Sequence, residues 1–88
     1  MRIDQLLKTL CLIKTRTMAK KACDSGLVFL NGIEAKASVK VNSGDIIEFT
    51  VWGSTVKVKI TAIPQKNISK TNAVNYYESL FTGPDPTK

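Results

Sequence analysis

The side chains that could do chemistry in this chain are cations near its start. Arg2, Lys8, Lys14, Arg16, Lys20 and Lys21 fall within the first 21 residues, with Asp4 the one acid among them. Such a cluster suits a polyanion. RNA presents a dense line of phosphates, and neutralising them with release of counterions supplies most of the binding free energy. An arginine can clamp a phosphate with two parallel hydrogen bonds, which a lysine cannot. Lys14 and Arg16 bracket Thr15, a residue suited to capping a helix. The free N–H groups and positive dipole end of a helix start favour an anion. Lys20 lies one turn beyond Arg16 on the same face. Further on, Lys36, Ser38 and Lys40 alternate with Ala37, Val39 and Val41. That alternation would place the three polar residues on one side of an extended segment, continuing the basic surface. Alternating lysines also keep edge strands from pairing with other chains, and this bland reading is the stronger one for Lys57 and Lys59.

Other chemistries lack their residues. The 88 residues carry 13 Lys+Arg against 7 Asp+Glu, a net charge of +6, and no histidine. The commonest general base and metal ligand is therefore missing. Ser38, Thr15 and Thr17 have no partner base, so nucleophilic catalysis has no support. Cys11 and Cys23 match no metal spacing; both sit on apolar arcs and are expected as small buried residues in a reducing compartment. The expectation is a protein with no cofactor and no metal, a binding module and not an enzyme. No apolar run approaches the ~20 residues of a membrane span. Asp4 and Lys8 interrupt the first apolar stretch, so no signal peptide is expected there. The expected location is cytoplasmic, with no membrane contact. Trp52, Tyr76 and Tyr77 could stack on unpaired bases, although Tyr77 has the spacing of a packed helix face.

Those residues need elements to hold them. Ile3, Leu6, Leu7, Leu10 and Cys11 follow the i, i+3, i+4, i+7, i+8 pattern of a half-buried helix over residues 3–11. A second helix starts after Thr15 and runs to about Ser25, where Gly26 suits a left-handed stop. Met18, Ala19, Ala22 and Cys23 share its apolar arc. After Gly26 the period shortens to two. Leu27 to Leu30 is β-prone, Asn31-Gly32 is a strong hairpin signal, and Ile33 to Ala35 can return. Asn42 to Asp45 reads as a turn. Ile46 to Trp52 and Thr55 to Ile63 read as two longer strands, the latter stopped by Pro64. Gln65 to Thr71 reads as polar linker. Ala73, Val74, Tyr77, Leu80 and Phe81 have helical spacing, with Asn72 a possible cap, and order is expected to end at Gly83-Pro84. The fold class is α+β: an N-terminal helical hairpin on a small, mostly antiparallel β-sheet, with a short C-terminal helix. The expected layout is a domain over 1–64, a linker and helix over 65–82, and a flexible tail over 83–88.

Several segments together resemble a known family. They are Arg2-Ile3-Asp4, Lys14 to Ala19, Gly26 to Gly32, then Lys36, Ser38 and Val41, and Gly44-Asp45. In this order and spacing the set resembles the RNA-binding domain named after small-subunit ribosomal protein four. The remainder is similar to the short stand-alone members, the RqcP-type and fifteen-kilodalton heat-shock-type proteins. The resemblance implies that the helical hairpin is the αL RNA-binding motif. It further implies binding of large-subunit ribosomal RNA and tRNA, on subunits left with obstructed peptidyl-tRNA after translation stalls, alongside a tRNA-recruiting quality-control factor. The site it implies comprises Arg2, Lys8, Lys14, Thr15, Arg16, Lys20, Lys36, Ser38 and Lys40, in a chain expected as a monomer. Three other roles remain open on the residues: a general rRNA or tRNA chaperone or assembly factor, an accessory RNA-binding subunit of an RNA-modifying enzyme, and a protein–protein adaptor. The RNA reading requires that the arginines and lysines of the helical pair point outward. It fails if their tips are tied up in internal ion pairs or scattered over unrelated sides of the molecule.

Overall fold

A computed structural model describes residues 1–51, 53–64 and 70–84. Helix α1 spans Ile3–Thr9 and helix α2 spans Arg16–Asp24. The first helix is shorter than its apolar pattern predicts. The chain turns at Leu10 and enters the left-handed region at Cys11, with φ 59°. That conformation points Cys11 to solvent, so the expectation that it is buried is corrected. The Thr15 hydroxyl accepts a hydrogen bond from Met18 N at 3.1 Å, capping α2 as its sequence predicts. Gly26 follows at φ 74°, the conformation for which glycine has no Cβ penalty.

Five antiparallel strands form one sheet in the order β2-β1-β3-β4-β5. They are β1 (Val28–Leu30), β2 (Ile33–Glu34), β3 (Ile46–Val51), β4 (Ser54–Ile60) and β5 (Tyr77–Pro84). Asn31 and Gly32 both have positive φ, as a tight primed hairpin turn requires. The Asn31 side chain also donates to Asp45 Oδ1 at 3.1 Å and accepts from Ile46 N at 2.9 Å. The hairpin tip is thereby tied to the turn over residues 42–45. Val28, Ile47, Phe49, Val58 and Ile60 are buried in one cluster with Ile3, Leu6, Leu7 and Leu10 of the first helical segment and Ala19, Ala22 and Cys23 of α2. This shared core fixes the helical pair on one face of the sheet.

The C-terminal segment differs from its sequence pattern. The helix is a single turn, α3 (Lys70–Ala73), and the chain from Tyr77 is a strand paired along β4. The helix expected over residues 73–81 is therefore corrected to a short turn followed by β5. Order extends through Gly83 and Pro84, which pair with Thr55 and Ser54. The pairing shifts register between Lys57, opposite Phe81, and Val58, opposite Ser79, so Leu80 is an extra residue on β5. A methyl group at Gly83 would come within 3.1 Å of the Phe81 ring, which lies over the glycine. The strand β4 ends at Ile60 rather than at Ile63. Residues 36–41 form no strand, yet Ala37 and Val41 are buried and Lys36, Ser38 and Lys40 exposed, as the alternation predicts. Trp52, most of the polar linker and residues 85–88 lie outside the described residues.

Candidate nucleic-acid interface

The N-terminus is positioned by backbone pairing. Ile3 N donates to Val39 O at 2.7 Å and Val41 N to Met1 O at 3.0 Å. These bonds flank the antiparallel bridge between Arg2 and Lys40 and set the two residues directly opposite. A pair flanked in this way is the closer kind, with Cα atoms about 4.5 Å apart. Like charges directly opposite destabilise a sheet pair. The arrangement therefore concentrates positive charge against the interest of the fold.

Helix packing brings in the second arginine. Asp4 sits in the first turn of α1 with its side chain 3% exposed. Arg2 Nε lies 3.4 Å from Asp4 Oδ1, and an Arg2 terminal nitrogen donates to Oδ2 at 3.4 Å. Arg16 Nε, from the start of α2, donates to the same Oδ2 at 3.4 Å. Gln5 N donates to Oδ1 at 2.8 Å. One buried carboxylate is thus shared by two guanidinium groups from different elements. The Arg2 and Arg16 side chains remain 45% and 51% exposed. Among the described residues, neither terminal nitrogen of Arg16 has a partner, so that end of the fork faces outward.

Arg2, Asp4, Arg16, Thr17 and Lys20 line one open cleft of about 330 Å³. Three of the expected site residues therefore meet in one place, and Lys40 stands beside Arg2 through the backbone bridge. Lys36 and Ser38 are exposed on the same segment as Lys40. Lys8, Lys14 and Lys21 are exposed but do not line the cleft. The Thr15 hydroxyl is engaged in the helix cap. Tyr76 and Tyr77 are half-buried and pack on the core, in keeping with a core role for Tyr77.

Arg2 and Arg16 do not point wholly outward as expected from the sequence. Both are ion-paired inward, but only by one edge each, and a single carboxylate faces two guanidinium groups and a lysine. The cleft stays positive. Two of its members are missed by the sequence reasoning. Asp4 stands there only as the one acid among the N-terminal cations, and Thr17 only as a hydroxyl without a partner base. The signal for Asp4 is non-local, because its second arginine lies twelve residues away.

Beneath the cleft, burial first, then the nearby charges of Asp4 and Asp24, push the Cys23 thiol up from 9.0 to about 11. It is therefore a protonated packing group at neutral pH, not a nucleophile. Among the described residues, no group of three or more His, Cys, Asp or Glu is placed to hold a metal ion. Among them, too, no helix is long and apolar enough to cross a membrane.

The model of the S4 domain matches residues 1–47, which contain this cleft. The RQC P-site tRNA stabilizing factor of Halalkalibacterium halodurans is 38% identical over 89% of this chain and 88% of its own. The factor of the same name from Bacillus subtilis is 38% identical over 91% of this chain and 92% of its own. The trimeric structure of Vibrio cholerae Heat Shock Protein 15 superposes with a TM-score of 0.83 at 26% identity, over 90% of this chain and 80% of that one.

Proposed function

Because the chain belongs to the S4 domain family, we propose that it binds structured RNA through the cleft between its N-terminal helices and acts in ribosome quality control. The RNA is large-subunit ribosomal RNA together with tRNA, on subunits carrying an obstructed peptidyl-tRNA. The protein acts there by holding RNA in place, in the cytoplasm and without catalysing a reaction. The site is Arg2, Arg16, Lys20 and Lys40, with Lys8, Lys14, Lys36 and Ser38 as flanking contacts and Thr15 shaping the helix start. The observation that carries the reading is the convergence of Arg2 and Arg16, from two elements, on one open cationic cleft. Relatives at 38% identity bear the name of a P-site tRNA stabilizing factor, which agrees with that chemistry.

The test is co-sedimentation with purified large ribosomal subunits. Arg16→Ala weakens it by about tenfold or more, the loss of one charge-assisted contact, while the thermal midpoint stays within a few degrees. Binding also falls steeply with salt, because each phosphate neutralised adds about 0.7–0.9 to the log–log slope. An Arg16→Ala protein that sediments like its parent overturns the site. A salt-insensitive association points instead to an apolar protein–protein interface.

A further inference from the structure

We infer that Asp4 is a positioning residue for RNA binding, holding Arg2 and Arg16 ahead of time in the geometry that receives a backbone phosphate. The inference rests on the RNA reading of the cleft. It departs from what charge alone implies. A carboxylate lining a cleft for phosphates repels the ligand, so on Coulomb grounds its removal strengthens binding. Three features of the structure say otherwise. Asp4 is buried, so its charge is directed at the two guanidinium groups instead of at solvent. It engages Arg16 through Nε alone, and leaves both terminal nitrogens of that residue as an outward fork. It also lies beside the close Arg2–Lys40 pair, whose mutual repulsion would otherwise drive these side chains apart.

The physical gain is preorganisation. A free arginine gives up rotamer entropy when it is fixed on a ligand. Arginines already tethered to a buried carboxylate have given up that freedom during folding. The fork is then presented at the right angle when the phosphate arrives. Asp4 itself need not touch the RNA.

Opposite signs make the test decisive. Binding to purified large ribosomal subunits is measured for the parent, Asp4→Asn, Arg16→Ala and the double variant. Asp4→Asn keeps the size of the side chain and removes its charge. The positioning role gives a loss of about tenfold, the scale of one charge-assisted contact. It also gives a double variant that binds more tightly than the product of the two single losses, because Asp4 acts partly through Arg16. Binding of Asp4→Asn that equals or exceeds the parent's, with Arg16→Ala still impaired, overturns the positioning role and leaves the proposed function intact. Losses that multiply independently overturn it as well, since a purely structural effect is additive. Arg16→Ala binding at the parent level overturns the cleft itself. Should Asp4→Asn not fold, the arginine Nε–H groups of the parent decide by NMR relaxation. Order parameters near the roughly 0.85 of rigid backbone support tethering, and values below about 0.6 for both overturn it.

Discussion

The molecule carries lysines and acids on two faces, and arranges them in two ways. On the sheet face that carries Lys57 and Lys59, away from the helices, Lys57 stands opposite Glu48 and Lys59 opposite Glu78. Each cation there has an acid at cross-strand distance, the pairing that stabilises a sheet. In the helical cleft, Arg2, Arg16 and Lys20 share the lining with Asp4, the one acid among the lining residues, and Lys40 stands opposite Arg2 through the backbone bridge. The first face balances its charge one for one and is adequate as a solvated surface. Among the described residues, the second has more cations than acids, with Asp4 shared between its two arginines. If the proposed RNA site is right, the count of cations does not mark it; the ratio of cations to nearby acids, and the burial of those acids, does.

Single substitutions that remove one positive charge from each face put this comparison at risk most directly. Arg16→Ala is expected to weaken binding to large ribosomal subunits about tenfold or more, and Lys57→Ala to change it by less than about twofold. Equal losses would mean that net charge alone governs binding, and the contrast between the faces would fail. A smaller but sharper effect comes from Arg16→Lys. It keeps the charge and loses the fork, since one ammonium cannot hold Asp4 and also clamp a phosphate. A loss of several-fold at constant salt is expected, and full binding would show that the inward tether of Arg16 is dispensable.

Stability measurements separate scaffold from site. Cys11 occupies the left-handed region at φ 59°, where a side chain is strained. Cys11→Gly should raise unfolding stability by up to about 1 kcal/mol, offset in part by the entropy of glycine, with RNA binding unchanged. The smallest effect concerns pH. The folded thiol of Cys23 titrates near 11, above its ordinary 9.0, so the folded state holds the proton more tightly. Stability from this group is complete below pH 9 and is lost as pH rises towards 11. Cys23→Ala should therefore show a shallower fall of the thermal midpoint across that window than the parent.

Much of the helical side was legible because its signals are local. Thr15 caps α2 through its own helix start, and Gly26 and Asn31-Gly32 adopt the positive φ their types favour. Cys11 apart, the apolar arcs of the two helices name residues that are buried in the core or, for Met18, packed against it. The C-terminal segment was misread for an identifiable reason. Leu80 is an extra residue in β5, and this bulge breaks the period of two. Tyr77, Leu80 and Phe81 then fall at intervals of three and four, which imitates a helix. The open edge of β4 decides the outcome by offering a ladder of backbone hydrogen bonds, and tertiary pairing overrides local pattern.

By itself, the sequence determined which segments are amphipathic, where they stop, and that surplus positive charge lies near the N-terminus. Periodicity, capping and turn chemistry act over a few residues, so they can be read without a fold. Only the tertiary structure decided that Arg2 and Arg16 share Asp4, that Lys40 faces Arg2, and that the last segment is a strand. Each of those facts depends on groups brought together across a dozen residues or more, and a linear pattern carries no information about which distant partner a buried carboxylate or an open strand edge will find.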